Sequence, residues 1–140
     1  MNIDSITNGY VIDHIPSGNA MKIYNYLKLD KIDCQVALIT KAKSKKMKKK
    51  DIIKIDKLID LDYNTLGFLV PNGTVNIVKD DNIVEKRKLS LPEVATNVVK
   101  CNNPRCITSI EKNLDQVFIL TDKENVIYRC KYCESRLNNK

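Results

Sequence analysis

The chain has 140 residues, 43% of them hydrophobic, with 24 Lys and Arg against 17 Asp and Glu and a formal net charge of +7. No apolar run approaches the roughly 18 residues needed to cross a bilayer, so a membrane-spanning helix is excluded. The opening residues, MNIDSITNGY, lack a basic stretch leading into an apolar core, so no secretory leader is expected; the predicted location is cytoplasmic, with no membrane partner.

In chain order, YVIDHI (10–15) alternates as a strand does and is closed by Pro16. Ser17 then offers a cap for a helix that carries Ala20, Ile23, Tyr24 and Leu27 on one face. CQVALIT (34–40) is rich in β-formers, and DIIKIDKLI (51–59) reads as the next strand. Between them, residues 41–50 read KAKSKKMKKK, seven lysines with no acid. Such a run is expected to be a solvated, mobile loop, with an anion- or partner-facing role as the alternative. LDYNTLGFLV (61–70) is a helix candidate weakened by Gly67 and ended by Pro71. TVNIV and IVEKRKL flank Lys79, Asp80, Asp81 and Asn82, a hairpin signal.

The order β-α-β-β-α-β plus one strand predicts an α+β chain whose residues 1–92 form a ferredoxin-like (split βαβ) domain. Residues 93–140 are too few for a robust core and call for a staple. They contain Cys101-x4-Cys106 and Cys130-x2-Cys133. Two close thiol pairs from two turns are the donor set of a tetrahedral, closed, structural zinc site, one Zn²⁺ per chain, in a small β-rich domain. Lys100, Arg105, Arg129 and Lys131 adjoin the ligands and offset their negative charge. Cys34, in a predicted strand, reads as a buried, inert thiol. The single histidine, His14, is remote from the cysteines, and no nucleophile or phosphate-loop motif is present. The chain itself is not expected to be an enzyme.

Five segments in one order carry a resemblance: VIDHIP (11–16), KKDIIKI (49–55), TVN (74–76), LSLPE (89–93) and the Cys-x4-Cys…Cys-x2-Cys set. From Ile3 to Glu134 the chain resembles the regulatory chain of aspartate carbamoyltransferase, the first committed enzyme of pyrimidine biosynthesis. The resemblance implies a non-catalytic allosteric subunit. Its N-terminal domain would bind nucleoside triphosphates of the CTP, ATP and UTP class and pair with a second regulatory chain; its zinc domain would dock on the catalytic chain. It implies Asp13 as acceptor for ribose hydroxyls with His14 beside the phosphates, and Lys50 and Lys54 near ribose, base and phosphates. Asn76 closes the TVN motif, Lys86 would meet the triphosphate, and the backbone at Ile6 and Ile83 would contact the base. Asp81 stands where some members place an aromatic, and the lysine run replaces a loop containing Gly and Pro.

The competing class is a basic zinc-ribbon protein that binds nucleic acid. Without the seven lysines of residues 41–50 the chain holds 17 basic and 17 acidic residues, and residues 40–57 contain no Phe, Tyr or Trp for base stacking. Nucleic acid is therefore not the expected partner.

Overall fold

The computed structural model describes residues 6–45 and 47–137. Ile3, where the resemblance begins, and Lys46 of the lysine run lie outside the described residues. The chain forms two compact units, residues 1–90 and 91–140.

Unit 1 follows the chain order β1 (Gly9–Pro16), α1 (Ala20–Tyr26), β2 (Val36–Ser44), β3 (Lys48–Ile55), α2 (Tyr63–Leu69), β4 (Thr74–Lys79) and β5 (Asn82–Lys88), with a 3₁₀ turn at Leu29–Lys31. The sheet order is β2-β3-β1-β4-β5, and every neighbouring pair is antiparallel. β3 thus inserts between β1 and β2, the split βαβ arrangement, and β5 adds an edge strand. Tyr10, Ile12 and Ile15 of β1, Ile53 and Ile55 of β3 and Val75 of β4 point to one face. There they bury against Ala20 and Ile23 of α1 and Leu66 of α2. Period-two alternation sends Val11, Lys54 and Asn76 to the opposite face, which carries no helix among the described residues.

Two local expectations change. The first is the lysine run. Lys41, Lys43, Lys48, Lys49 and Lys50 lie within β2 and β3, which pair across Lys43 and Lys49, so among the described residues this part of the run is an ordered hairpin and not a loop. Lysine is a weak β-former, and cross-strand pairing overrides that preference. The second is the start of α1, which has Asn19 at the N-cap position with no side-chain cap bond. Asp51 of β3 takes the role instead. Fully buried, its Oδ2 accepts the N–H groups of Gly18 (2.8 Å) and Ala20 (3.1 Å), while Oδ1 accepts that of Lys41 (3.0 Å). The β-bulges on either side, between Ile12 and Ile15 in β1 and between Ile39 and Ala42 in β2, free backbone groups at this level. α2 follows its prediction: Asp62 caps it by accepting from Asn64 (3.1 Å) and Thr65 (3.2 Å), and it ends before Pro71.

Unit 2 holds β6 (Val94–Thr96), the one-turn helix α3 (Ile107–Ile110), β7 (Val117–Asp122) and β8 (Ile127–Cys130), with sheet order β6-β7-β8. Its large, fully buried side chains are Phe118 and Tyr128, and the Tyr128 hydroxyl donates to the Pro92 carbonyl at 2.6 Å. So small an apolar core needs a further constraint.

Candidate metal centre and anion-binding face

In unit 2 the two cysteine pairs close on one point. The Asn-Asn-Pro segment turns so that the Asn103 carbonyl accepts the Cys106 N–H (3.0 Å), and its side-chain oxygen accepts the Arg105 N–H (3.0 Å). The second turn folds at the end of β8, where the Cys130 carbonyl accepts the Glu134 N–H (2.9 Å). Asn103 Nδ2 lies 3.4 Å from Ser135 Oγ and ties the two turns together. All four Sγ atoms lie within 4.8 Å of one another; Cys101 and Cys133 are 3.6 Å apart, Cys106 and Cys130 3.7 Å. A tetrahedron with metal–sulfur bonds of about 2.3 Å has edges of about 3.8 Å. The thiols thus fit one tetrahedral metal ion, and all four are free of disulfides.

Their ionisation is uneven. Burial pushes Cys101 up to about 12 and also raises Cys130. The Thr108 hydroxyl, 3.1 Å from Cys106 Sγ, lowers that thiol. Burial opposes ionisation of Cys133, but hydrogen bonds from the Ser135 hydroxyl and backbone N–H, Asn103 and Cys101 together outweigh it and bring Cys133 down to about 6. Four thiolates this close require a cation among them. Sequence reading missed Thr108 and Gln116, whose Oε1 accepts the Cys101 N–H at 3.0 Å. Thr108 had a signal, two residues beyond a ligand. Gln116 had none, since the fold brings it there. The flanking Lys100, Arg105, Arg129 and Lys131 are all exposed.

On the helix-free face of unit 1, strand register assembles most of the other candidates. Lys54 pairs with Val11, Val11 with Asn76 and Asn76 with Lys86, one row across β3, β1, β4 and β5. Three strand spacings separate the outer lysines by about 14 Å at the backbone, within which two long side chains converge. In the middle, Asn76 Oδ1 is buried and has no hydrogen-bond partner. A native protein rarely leaves such an atom unpaired, so it marks a place where a donor is expected to arrive.

The neighbouring row is Asp13, Thr74 and Lys88. Asp13 ion-pairs with Lys50 at 2.9 Å. His14, in the left-handed region at φ 61° because of the β1 bulge, donates its N–H to Asp13 (2.6 Å), and its Nδ1 lies 3.0 Å from Thr74 Oγ1. Thr74 and Lys88 were not singled out from sequence, although Lys88 lies two residues from Lys86 and so shares its face. Ile6 is buried, and Ile83 is 61% exposed on β5. The Thr7 carbonyl accepts the Asp81 N–H at 3.0 Å, which ties the segment after Ile6 to the β4–β5 turn that precedes Ile83. Asp80 and Asp81 both have positive φ, as a tight two-residue hairpin turn requires.

Comparison with known families matches residues 1–90 to the allosteric domain of the aspartate carbamoyltransferase regulatory chain and residues 93–140 to its metal-binding domain. The chain belongs to that family. Regulatory chains from Clostridium botulinum (strain Hall) and Clostridium tetani are 52% and 53% identical over 134 and 135 residues, 96% of this chain and 92% and 94% of theirs. That of Bifidobacterium longum is 44% identical over 134 residues, 96% of both chains. Membership makes the chain a regulatory, non-catalytic one. In an aspartate carbamoyltransferase regulatory chain the cysteine cluster falls within the metal-binding domain, and the Lys54–Lys86 row falls within the allosteric domain.

Proposed function

We propose that unit 1 binds a nucleoside triphosphate effector on its helix-free face, and that unit 2, closed by one structural Zn²⁺, docks on the catalytic chain. The assembly would tune aspartate carbamoyltransferase in cytoplasmic pyrimidine biosynthesis, with this chain pairing with a second copy of itself. The observation that carries the effector reading is the row of Lys54, Asn76 and Lys86, with an unpaired amide oxygen between two lysines. A triphosphate supplies about four negative charges for the lysines, and lysine is a common point-charge receptor for phosphate. A base or ribose N–H or O–H would satisfy Asn76. Asp13 and His14 flank the row at the position of the β1 bulge, where the ribose and phosphates would lie.

Zinc is favoured over other metals by the all-thiolate, tetrahedral donor set, which suits it without an open position. The zinc would hold the segment between Cys106 and Cys130, and with it the partner-facing surface. Titration calorimetry on the full chain tests the effector site. Triphosphates should bind more tightly than monophosphates, and Lys86→Ala should weaken triphosphate binding by about 1.5–3 kcal/mol, the scale of a lost charge-assisted hydrogen bond. Equal affinity for wild type and variant would remove Lys86 from the site.

A further inference from the structure

The lysine hairpin is not absorbed by the effector reading. β1 pairs with β3 only as far as Pro16 opposite Lys50. Beyond that level β2 and β3 continue alone, with Lys43 opposite Lys49 and Ser44 opposite Lys48. The end of the hairpin is thus a two-stranded ribbon that projects past the rest of the sheet. Alternation puts Lys48 and Lys50 on the helix-free face and Lys43 and Lys49 on the other, so positive charge lies on both sides of the ribbon. Lys50 is paired with Asp13. Among the described residues, Lys41, Lys43, Lys45, Lys48 and Lys49 have no carboxylate partner, and all five are exposed. Asp51, the nearest acid in the chain, is buried and committed to three backbone N–H groups.

Like charges directly opposite on paired strands destabilise a hairpin. Here Lys43 faces Lys49 with no acid to relieve the repulsion, which an external anion would do. The chemistry of the ribbon narrows that anion. It has no exposed large apolar side chain to anchor a protein partner or enter a lipid surface. Residues 41–50 have no Arg, Asn or Gln to read base edges and no aromatic to stack on bases. Point charges repeated along a ribbon match charges repeated along a chain of phosphates. We propose that the β2–β3 ribbon is a docking site for a linear phosphate polyanion, read by charge alone and separate from the effector row. The phosphodiester backbone of a nucleic acid and inorganic polyphosphate share this chemistry.

The test is binding of the full chain to a labelled RNA duplex and to inorganic polyphosphate, each over a range of salt concentrations. Neutralising five phosphates of a duplex predicts a slope of log affinity against log salt of about −4.5. Lys43→Glu is the informative variant, because it places a carboxylate opposite Lys49. It should raise the melting temperature and at the same time lower polyanion affinity at least tenfold, a combination that a merely damaged fold cannot give. Lys86→Ala should leave polyanion affinity within twofold. Binding to one probe alone identifies the source of the phosphate chain; binding to both shows that charge density is what is read. The proposal is overturned if neither probe binds, if Lys43→Glu binds as wild type does, or if Lys86→Ala loses as much affinity as Lys43→Glu. Because the two variants lie in different sites, failure here leaves the effector reading intact, and the reverse also holds.

Discussion

Gly67 shows how a single residue can mislead. In the sequence it weakens a helix candidate, since glycine in a helix interior costs about 1 kcal/mol relative to alanine. In the fold it is buried in α2, and an added Cβ would lie 2.1 Å from the Ser90 carbonyl oxygen. Helix and backbone are in contact because no side chain stands between them. Gly67→Ala should therefore destabilise unit 1 by about 1–3 kcal/mol, the cost of overpacking, in spite of its better helix propensity. Urea unfolding should show an earlier transition; a later one would mean that the Ser90 carbonyl yields freely. The partners of individual polar residues were equally illegible. Nothing near Asn76 in the chain reveals that its amide oxygen would be buried in a row with two lysines. Lys86 reaches it from the next strand, but Val11 and Lys54 belong to strands far off in the chain. The metal ligands were legible because both halves of each pair are local, and spacing alone restricts the chemistry.

At the scale of elements, the alternation in β1, the amphipathic face of α1, the hairpin turn at Asp80–Asp81 and the split βαβ order could all be read from periodicity and turn residues. The limits of β2 and β3 could not. Both strands run into the lysine segment, and what orders them there is Asp51, whose contacts are long-range. One carboxylate caps α1, satisfies the β2 bulge and sits opposite Ile15 beside the β1 bulge that turns His14. Asp51→Asn tests this. The amide keeps the shape but turns a donor toward at least one N–H, so it should cost about 2–4 kcal/mol in urea unfolding, given that each bond to the charged oxygen contributes about 1.5–3 kcal/mol. A loss below about 0.5 kcal/mol would show that the three N–H groups find other partners. Since the His14 bulge adjoins Asp51, triphosphate affinity should fall in the same variant.

At the scale of the whole molecule, the two units differ in what holds them folded. Unit 1 has a continuous apolar core from both helices and the sheet. Unit 2 has Phe118, Tyr128 and a cluster of four thiols. Metal binding in such a unit is folding free energy, on the order of 10 kcal/mol. Chelation should thus unfold residues 91–140, abolish the near-ultraviolet circular dichroism of Tyr128 and release any bound catalytic chain. Triphosphate binding by residues 1–90 should survive. Metal analysis should return one zinc per chain, with Cys106→Ala losing it and Cys34→Ala keeping it. Retention of the native Tyr128 signal after complete metal removal would refute this account.

The row on the helix-free face also has a consequence in time. Its four members lie on β1, β3, β4 and β5, and Lys86 comes last in the chain. Val11 meets Lys54 and Asn76 only across long stretches of chain, and closing such loops is slow. During synthesis the row therefore stays incomplete until β5 has left the ribosome, and no shorter N-terminal fragment carries it. Whatever ligand the row holds, a nascent chain does not respond to it before its whole first unit exists.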